Sequence, residues 1–157
     1  MMDDVWIDDV TRRVFARVLS RPHAFESPFA GESSALLLVV CDETATAAER
    51  KALSDEFVRS GCRWVLAAGH ECSKWDTEVD MSCLATDPEF NPPDSKFIMT
   101  TWHDDEPRAD VVDFMFDCAT LAGAPFERFL VAFVGDDVSA RAACRDRVGH
   151  RRGGPCA

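Results

Sequence analysis

Four clusters of acids and histidines stand out, each directly after a short apolar run. They are Asp42-Glu43, Gly69-His70-Glu71-Cys72, Trp102-His103-Asp104-Asp105-Glu106 and Gly135-Asp136-Asp137. Carboxylates with one or two imidazoles suit Mn2+, Fe2+ or Zn2+ better than Ca2+. Asp42, His103 and Asp104 form a candidate set for a divalent cation that activates water. His103 is also a candidate general base. Cys72, near a helix start, is a conceivable thiol partner for it. The wider candidate binding set is Asp42, His70, Glu71, Trp102, His103 and Asp136. No catalytic residue is assigned, because the chain has no His-Glu-x-x-His, Gly-x-Ser-x-Gly, Walker or Gly-x-Gly-x-x-Gly motif.

The same acids have a structural explanation. Each stands just before an expected helix, where aspartate caps free backbone N–H groups and carboxylates complement the helix dipole. Asp104, Asp105 and Glu106 ahead of Pro107 fit that role, and so does Asp137. The histidines are not explained by capping. Trp75, Trp102 and Phe97 could build a ligand platform, but aromatic residues at such spacings are more often core.

The elements that must position these clusters follow from apolar periodicity. Trp6, Val10, Val14 and Val18 recur every four residues, which predicts a helix over 4–20. Residues 21–34, with Pro22, Pro28, Gly31 and serines, and residues 86–95, with Pro88, Pro92 and Pro93, read as loops. Residues 35–41 form a continuous apolar run, as in a strand buried on both faces of a parallel sheet. Further strands are expected at 63–68, 97–101 and 129–134. Thr46-Ala-Ala-Glu49 is a capping-box pattern opening a helix to about residue 59. Helices are also expected at 73–84, 107–122 and 138–148.

The alternation predicts an α/β fold. It is a three-layer, doubly wound sheet of about four mainly parallel strands, flavodoxin-like or Rossmann-like, with helices on both faces. A single domain over 1–148 contains the N-terminal helix and a core from 35 to 148. The basic stretch 149–157 is read as a disordered tail. By analogy the four strands take the order 2-1-3-4, and ligands bind at the strand ends, at the switch point. That order would bring Asp42 and Glu43 near His103 and Asp104.

The bulk composition narrows the function classes. With 157 residues the chain suits one domain with a sizeable core. No apolar run approaches the ~20 residues of a membrane helix, and the acidic N-terminus lacks a signal-peptide pattern. A cytoplasmic location without membrane attachment is expected. The seven cysteines include no Cys-x-x-Cys pair, which favours buried reduced thiols. The net charge is −11, and five arginines against one aspartate after residue 137 leave −15 on the rest. Such a body repels phosphate backbones, so no nucleic-acid partner is expected. It is compatible with a basic protein partner or bound cations.

Two stretches carry a resemblance. One runs from Gly61-Cys62-Arg63-Trp64 through Gly69, Cys72 and Trp75-Asp76 to Val79-Asp80. The other is Met99-Thr100-Thr101-Trp102-His103-Asp104-Asp105-Glu106-Pro107. Together they resemble a bacterial domain family of unknown function, over about residues 35–134. The chain departs from that pattern at Ala68, where the family has tryptophan, and at Glu71, where it has aspartate. His70 is not part of the pattern, which leaves His103 as the better site candidate. The resemblance implies a bacterial origin and a shared domain, and no activity. Two functions fit these features. The first is a non-enzymatic protein-binding or regulatory module, of which immunity-type inhibitors are one kind. The alternative is a metal-dependent hydrolase with its site at the C-terminal strand ends.

Overall fold

The computed structural model describes residues 4–19, 25–29 and 31–151. The chain folds as a mixed α/β protein around one six-stranded, mainly parallel sheet. Strands β1 (Asp4–Asp8) and β2 (Arg13–Leu19) open it. There follow β3 (Ser34–Val40), α1 (Ala47–Arg59), β4 (Cys62–Gly69), α2 (Cys72–Leu84), β5 (Met99–His103) and α3 (Arg108–Cys118). A small ribbon of β6 (Thr120–Leu121) and β7 (Ala124–Pro125) leads to β8 (Arg128–Val134) and α4 (Val138–His150).

Where a helix is expected over 4–20, residues 4–19 instead form an antiparallel hairpin, with Asp9 N–H bonded to the Arg12 carbonyl at the turn, and residue 20 lies outside the described residues. A spacing of four is also twice the strand period, so it does not separate helix from strand. Val14, Ala16 and Val18 share one face of β2 at period two. Val10, which the helix reading would bury, is fully exposed at the turn. The stretch is rich in β-branched residues, which favour strands. The large sheet therefore has six strands rather than about four.

The remaining elements lie close to their expected places, except that the helix expected over 107–122 ends at Cys118 and Thr120–Leu121 pairs with Ala124–Pro125 instead. The capping box of α1 forms: Thr46 accepts from Glu49 N–H at 3.1 Å, and Glu49 accepts from Thr46 N–H at 3.2 Å. Strand β5 starts two residues later than expected and so includes Trp102 and His103. Helix α4 extends to His150, so residues 149 and 150 are helical; tail residues 152–157 lie outside the described residues.

Strand order is β1-β2-β8-β3-β4-β5. The four strands expected from sequence thus lie in the order 4-1-2-3, not 2-1-3-4. From β3 the chain steps through β4 to β5, then α3 carries it back to β8 on the far side of β3. Each sheet face has its own core. One joins Ala35, Leu37 and Val39 to α3 and α4; the other joins Leu36, Leu38 and Val40 to α1 and α2. All seven residues of β3 are buried, as expected for the strand between both layers. The switch point falls between β3 and β8, and β4 separates β3 from β5. Asp42 is therefore not beside His103; its neighbours come from the end of β8.

Candidate functional site

At the switch point the backbone is packed tightly. Cys41 N–H bonds the Val134 carbonyl at 2.8 Å. Gly135 has φ +88, and a Cβ there would overlap the Asp42 carboxylate. Asp42 Oδ1 accepts from Thr44 N–H at 3.0 Å. Asp136 holds Arg141 through Nε and Nη2, both at 3.0 Å. Asp137 caps α4 by accepting from Ala140 N–H at 3.1 Å, as its position before the helix implied. Asp42 is thus bonded within the loop that follows β3, and Asp136 is bonded to α4.

Next to them lies a cleft of about 850 Å3, lined among others by His70, Glu71, Asp104, Glu106, Arg108 and Asp137. His70 Nε2 is 3.3 Å from Glu43 Oε1 and 3.8 Å from Glu71 Oε2, without hydrogen-bond geometry to either. Glu71 sits at φ +49, and its carboxylate takes Lys74 at 2.7 Å, which holds it below the usual carboxylate range. Arg108 enters the cleft and donates to the Glu106 carbonyl at 3.2 Å.

The most ordered chemistry is on β5. His103 Nδ1 lies 2.6 Å from Glu106 Oε2, and His103 Nε2 lies 2.9 Å from Thr101 Oγ1. Trp64 Nε1 donates to the same Thr101 oxygen at 3.4 Å. In the neutral imidazole the carboxylate end fixes the direction of the chain, since a carboxylate only accepts. Thr101 then donates to Nε2, and the neutral imidazole donates from Nδ1 to Glu106. His103 is 5% exposed and packs edge-on to Phe114 at 4.7 Å. A hollow of about 550 Å3 lies over this group, lined by Thr101, Trp102, His103, Asp104, Glu106 and Phe114. The expectation that Asp104, Asp105 and Glu106 cap α3 is not met. Pro107 holds the cap position with no side-chain bond, and Glu106 is turned to His103 instead.

The opposite face of β5 meets α2. Thr100 donates to Asp80 Oδ1 at 2.6 Å. Beside it Asp76 is buried, with Oδ1 lacking a partner; burial, then the nearby Asp80, raises its pKa. Trp102 is exposed, so it belongs to no core.

The structure thus brings His70, Glu71 and Asp104 to one cleft and Trp102 and His103 to the adjoining hollow. Asp42 and Asp136 line neither. Among the described residues no three His, Cys, Asp or Glu side chains are grouped as a metal ion would need, and Asp42, His103 and Asp104 are not such a group. Cys72 is not primed as a nucleophile: burial pushes its thiol up. Burial likewise raises Cys41 to about 11 and Cys62 and Cys144 to about 12. Thr101, Glu106 and Arg108 were not singled out from the sequence as site residues. Thr101-x-His103 carried the available signal, since residues two apart on a strand share a face.

A family model described as "Domain of unknown function (DUF7684)" matches residues 15–146. The chain belongs to this family. No curated protein matches the chain. The DUF7684 match begins inside β2 and ends within α4, so it contains Trp64, Thr101, His103 and Glu106 and leaves β1 outside. No helix among the described residues of this DUF7684 protein is long and apolar enough to cross a membrane.

Proposed function

We propose that this DUF7684 protein is a protein-binding module that takes an extended, basic segment of its partner as an added strand along β5. The observation that carries this reading is the open edge of β5. Among the described residues only β4 pairs with it. Open edges are normally guarded by charge, proline or a bulge. Edge strand β1 has such guards: an irregular pairing next to Trp6 and an aspartate at each end. Strand β5, Met-Thr-Thr-Trp-His, has none along its length. Phe97, Met99 and Trp102 are 45%, 45% and 57% exposed beside it. Strand addition uses the open main chain for affinity and side-chain contacts for selectivity. Asp80, Asp94, Asp104 and Asp105 flank the edge, so lysines or arginines on the added strand meet opposite charge.

A photo-crosslinking residue at Trp102, compared with one at Val5 on the opposite edge, tests this in extract from the cells that make the protein. The expected product is a crosslink from position 102 to an extended lysine- or arginine-rich segment. It should weaken as salt rises and vanish in Thr100→Pro. Crosslinks that map to an acidic or helical segment, or are as strong at Val5, would overturn the reading.

One observation favours a second reading, a nucleophilic hydrolase. In the chain from Trp64 through Thr101 and His103 to Glu106, hydroxyl, base and orienting carboxylate stand at the spacing that activated nucleophiles use. Attack of Thr101 Oγ1 on an acyl carbonyl would pass its proton to His103 Nε2 and on to the leaving group; water would then release the acyl group. A fluorophosphonate adduct on Thr101, lost in His103→Gln, supports this reading; an unlabelled Thr101 removes it.

A further inference from the structure

We propose a second site, independent of the β5 edge, where the N-terminal hairpin and α4 bind a small organic carboxylate with an apolar body. The pairing of β1 with β2 runs Asp4↔Ala16 and Val5↔Phe15, then skips to Ile7↔Val14. Two residues of β1 therefore stand against one step of β2. In a regular strand Trp6 and Ile7 would face opposite sides. Here Ile7 is buried in the core beneath α3 and α4, and Trp6 packs against that same cluster. Bulges of this kind re-aim a side chain at the edge of a sheet. The indole is brought to 6.3 Å from the Phe133 ring.

A cavity of about 360 Å3 opens there, walled by Trp6, Val18, Phe133 and Val138 and reached by Arg141 and Arg145 of α4. That size lies within the ~300–1,000 Å3 of small-molecule sites, and apolar walls with a few polar groups are their usual lining. Two donors are left over. Trp6 Nε1 is shielded from solvent and has no acceptor among the described residues. Arg145 has no hydrogen bond or ion pair among them, whereas Arg141 is engaged with Asp136. Arg17 also borders the cavity, but its guanidinium donates to the Glu26 carbonyl and lies over Phe25. Among the described residues Asp4 is the one acid on the lining.

In a chain of net charge −11, a cavity with one unengaged guanidinium and one unengaged indole N–H selects a single negative charge. A carboxylate fits both donors: it takes a guanidinium in two parallel bonds and has lone pairs to spare for the indole. The apolar walls call for a hydrocarbon body, aromatic or branched. Inorganic phosphate would bring more charge than one free arginine offsets and nothing to cover Trp6 and Phe133.

Titration of the full chain with phenylacetate, phenylacetamide and inorganic phosphate tests the proposal, read by NMR of the indole N–H resonances. The Trp6 signal is identified by its loss in Trp6→Phe. Phenylacetate is expected to move that signal saturably, and the amide and phosphate to leave it in place. Arg145→Gln is expected to weaken binding about tenfold or more. Ala142→Leu, which fills the cavity from α4, is expected to abolish binding without lowering the melting temperature. An equal response to the amide, an unchanged affinity in Arg145→Gln, or shifts confined to Trp102 would each overturn the proposal. The last of these concerns the β5 edge alone, so the two sites fail separately.

Discussion

His103 shows how burial decides what a polar group contributes. Its two ring nitrogens are matched by Thr101 on the inner side and Glu106 on the outer. Thr101→Val keeps the volume but leaves His103 Nε2 and Trp64 Nε1 without partners inside the protein. It is expected to cost about 1–2 kcal/mol. Glu106→Gln keeps an acceptor at a half-exposed position and is expected to cost less than about 1 kcal/mol. Urea unfolding of both variants checks the order; a larger loss in Glu106→Gln would show that charge, not burial, holds the imidazole. Asp76 carries a signed prediction. Its pKa is raised above the ordinary 3.8, first by burial and then by Asp80. The folded chain therefore holds this proton more tightly than the unfolded chain. That contribution is present below the ordinary pKa and is lost as pH rises through the raised one. Asp76→Asn removes the dependence, so its stability relative to wild type should climb from about pH 4 toward neutral. A stability of Asp76→Asn relative to wild type that stays flat or falls as pH rises would contradict the assignment. The sequence picked out His103 but not this network, because an expected strand two residues too early left His103 in the loop beyond it. Phe97, counted there as a strand residue for its apolar ring, is half exposed and follows a short turn at Asp94–Lys96.

At the level of elements, the readable features were those specified by local contacts. The capping box fixed the start of α1, and the unbroken apolar run of β3 announced a strand covered on both sides. The hairpin was not readable from spacing alone, since a four-residue repeat serves helix and strand equally. Strand order was hidden for another reason. It depends on which side of β3 receives β8 after α3 crosses back, and no local signal encodes that choice. The error moved the switch point, and with it Asp42. The joints at the strand ends rest on two glycines whose substitution should differ. At Gly69, φ +95, a Cβ would collide with the Val40 carbonyl, a backbone group that cannot step aside. At Gly135 it would meet the end of the Asp42 side chain, which can rotate away. Gly135→Ala is expected to cost about 2 kcal/mol, part of it recovered by adding Asp42→Ser. Gly69→Ala is expected to cost about 3 kcal/mol or more with no such rescue. Calorimetric melting of the three variants separates strain in the backbone from a clash of side chains.

For the molecule as a whole, the two ends of the sheet are treated differently, and net charge decides what can join the open one. Two copies of the chain could pair their β5 edges, covering Met99 and Trp102 on each side. Each copy carries −11, however, so that encounter is repulsive until salt screens it. A basic partner strand meets the opposite sign and is drawn in until salt screens the attraction. One surface therefore has two salt dependences of opposite direction. Sedimentation of the purified protein is expected to show a monomer at low ionic strength, with association growing as salt is added. Trp102→Asp should abolish that association by placing a charge where the edge is apolar. Binding of a lysine-rich strand-forming peptide to the same edge should instead weaken as salt is added, and Trp102→Asp should weaken its apolar contact without reversing the salt trend. Self-association that strengthens as salt falls, or that survives Trp102→Asp, would place the contact between copies away from β5.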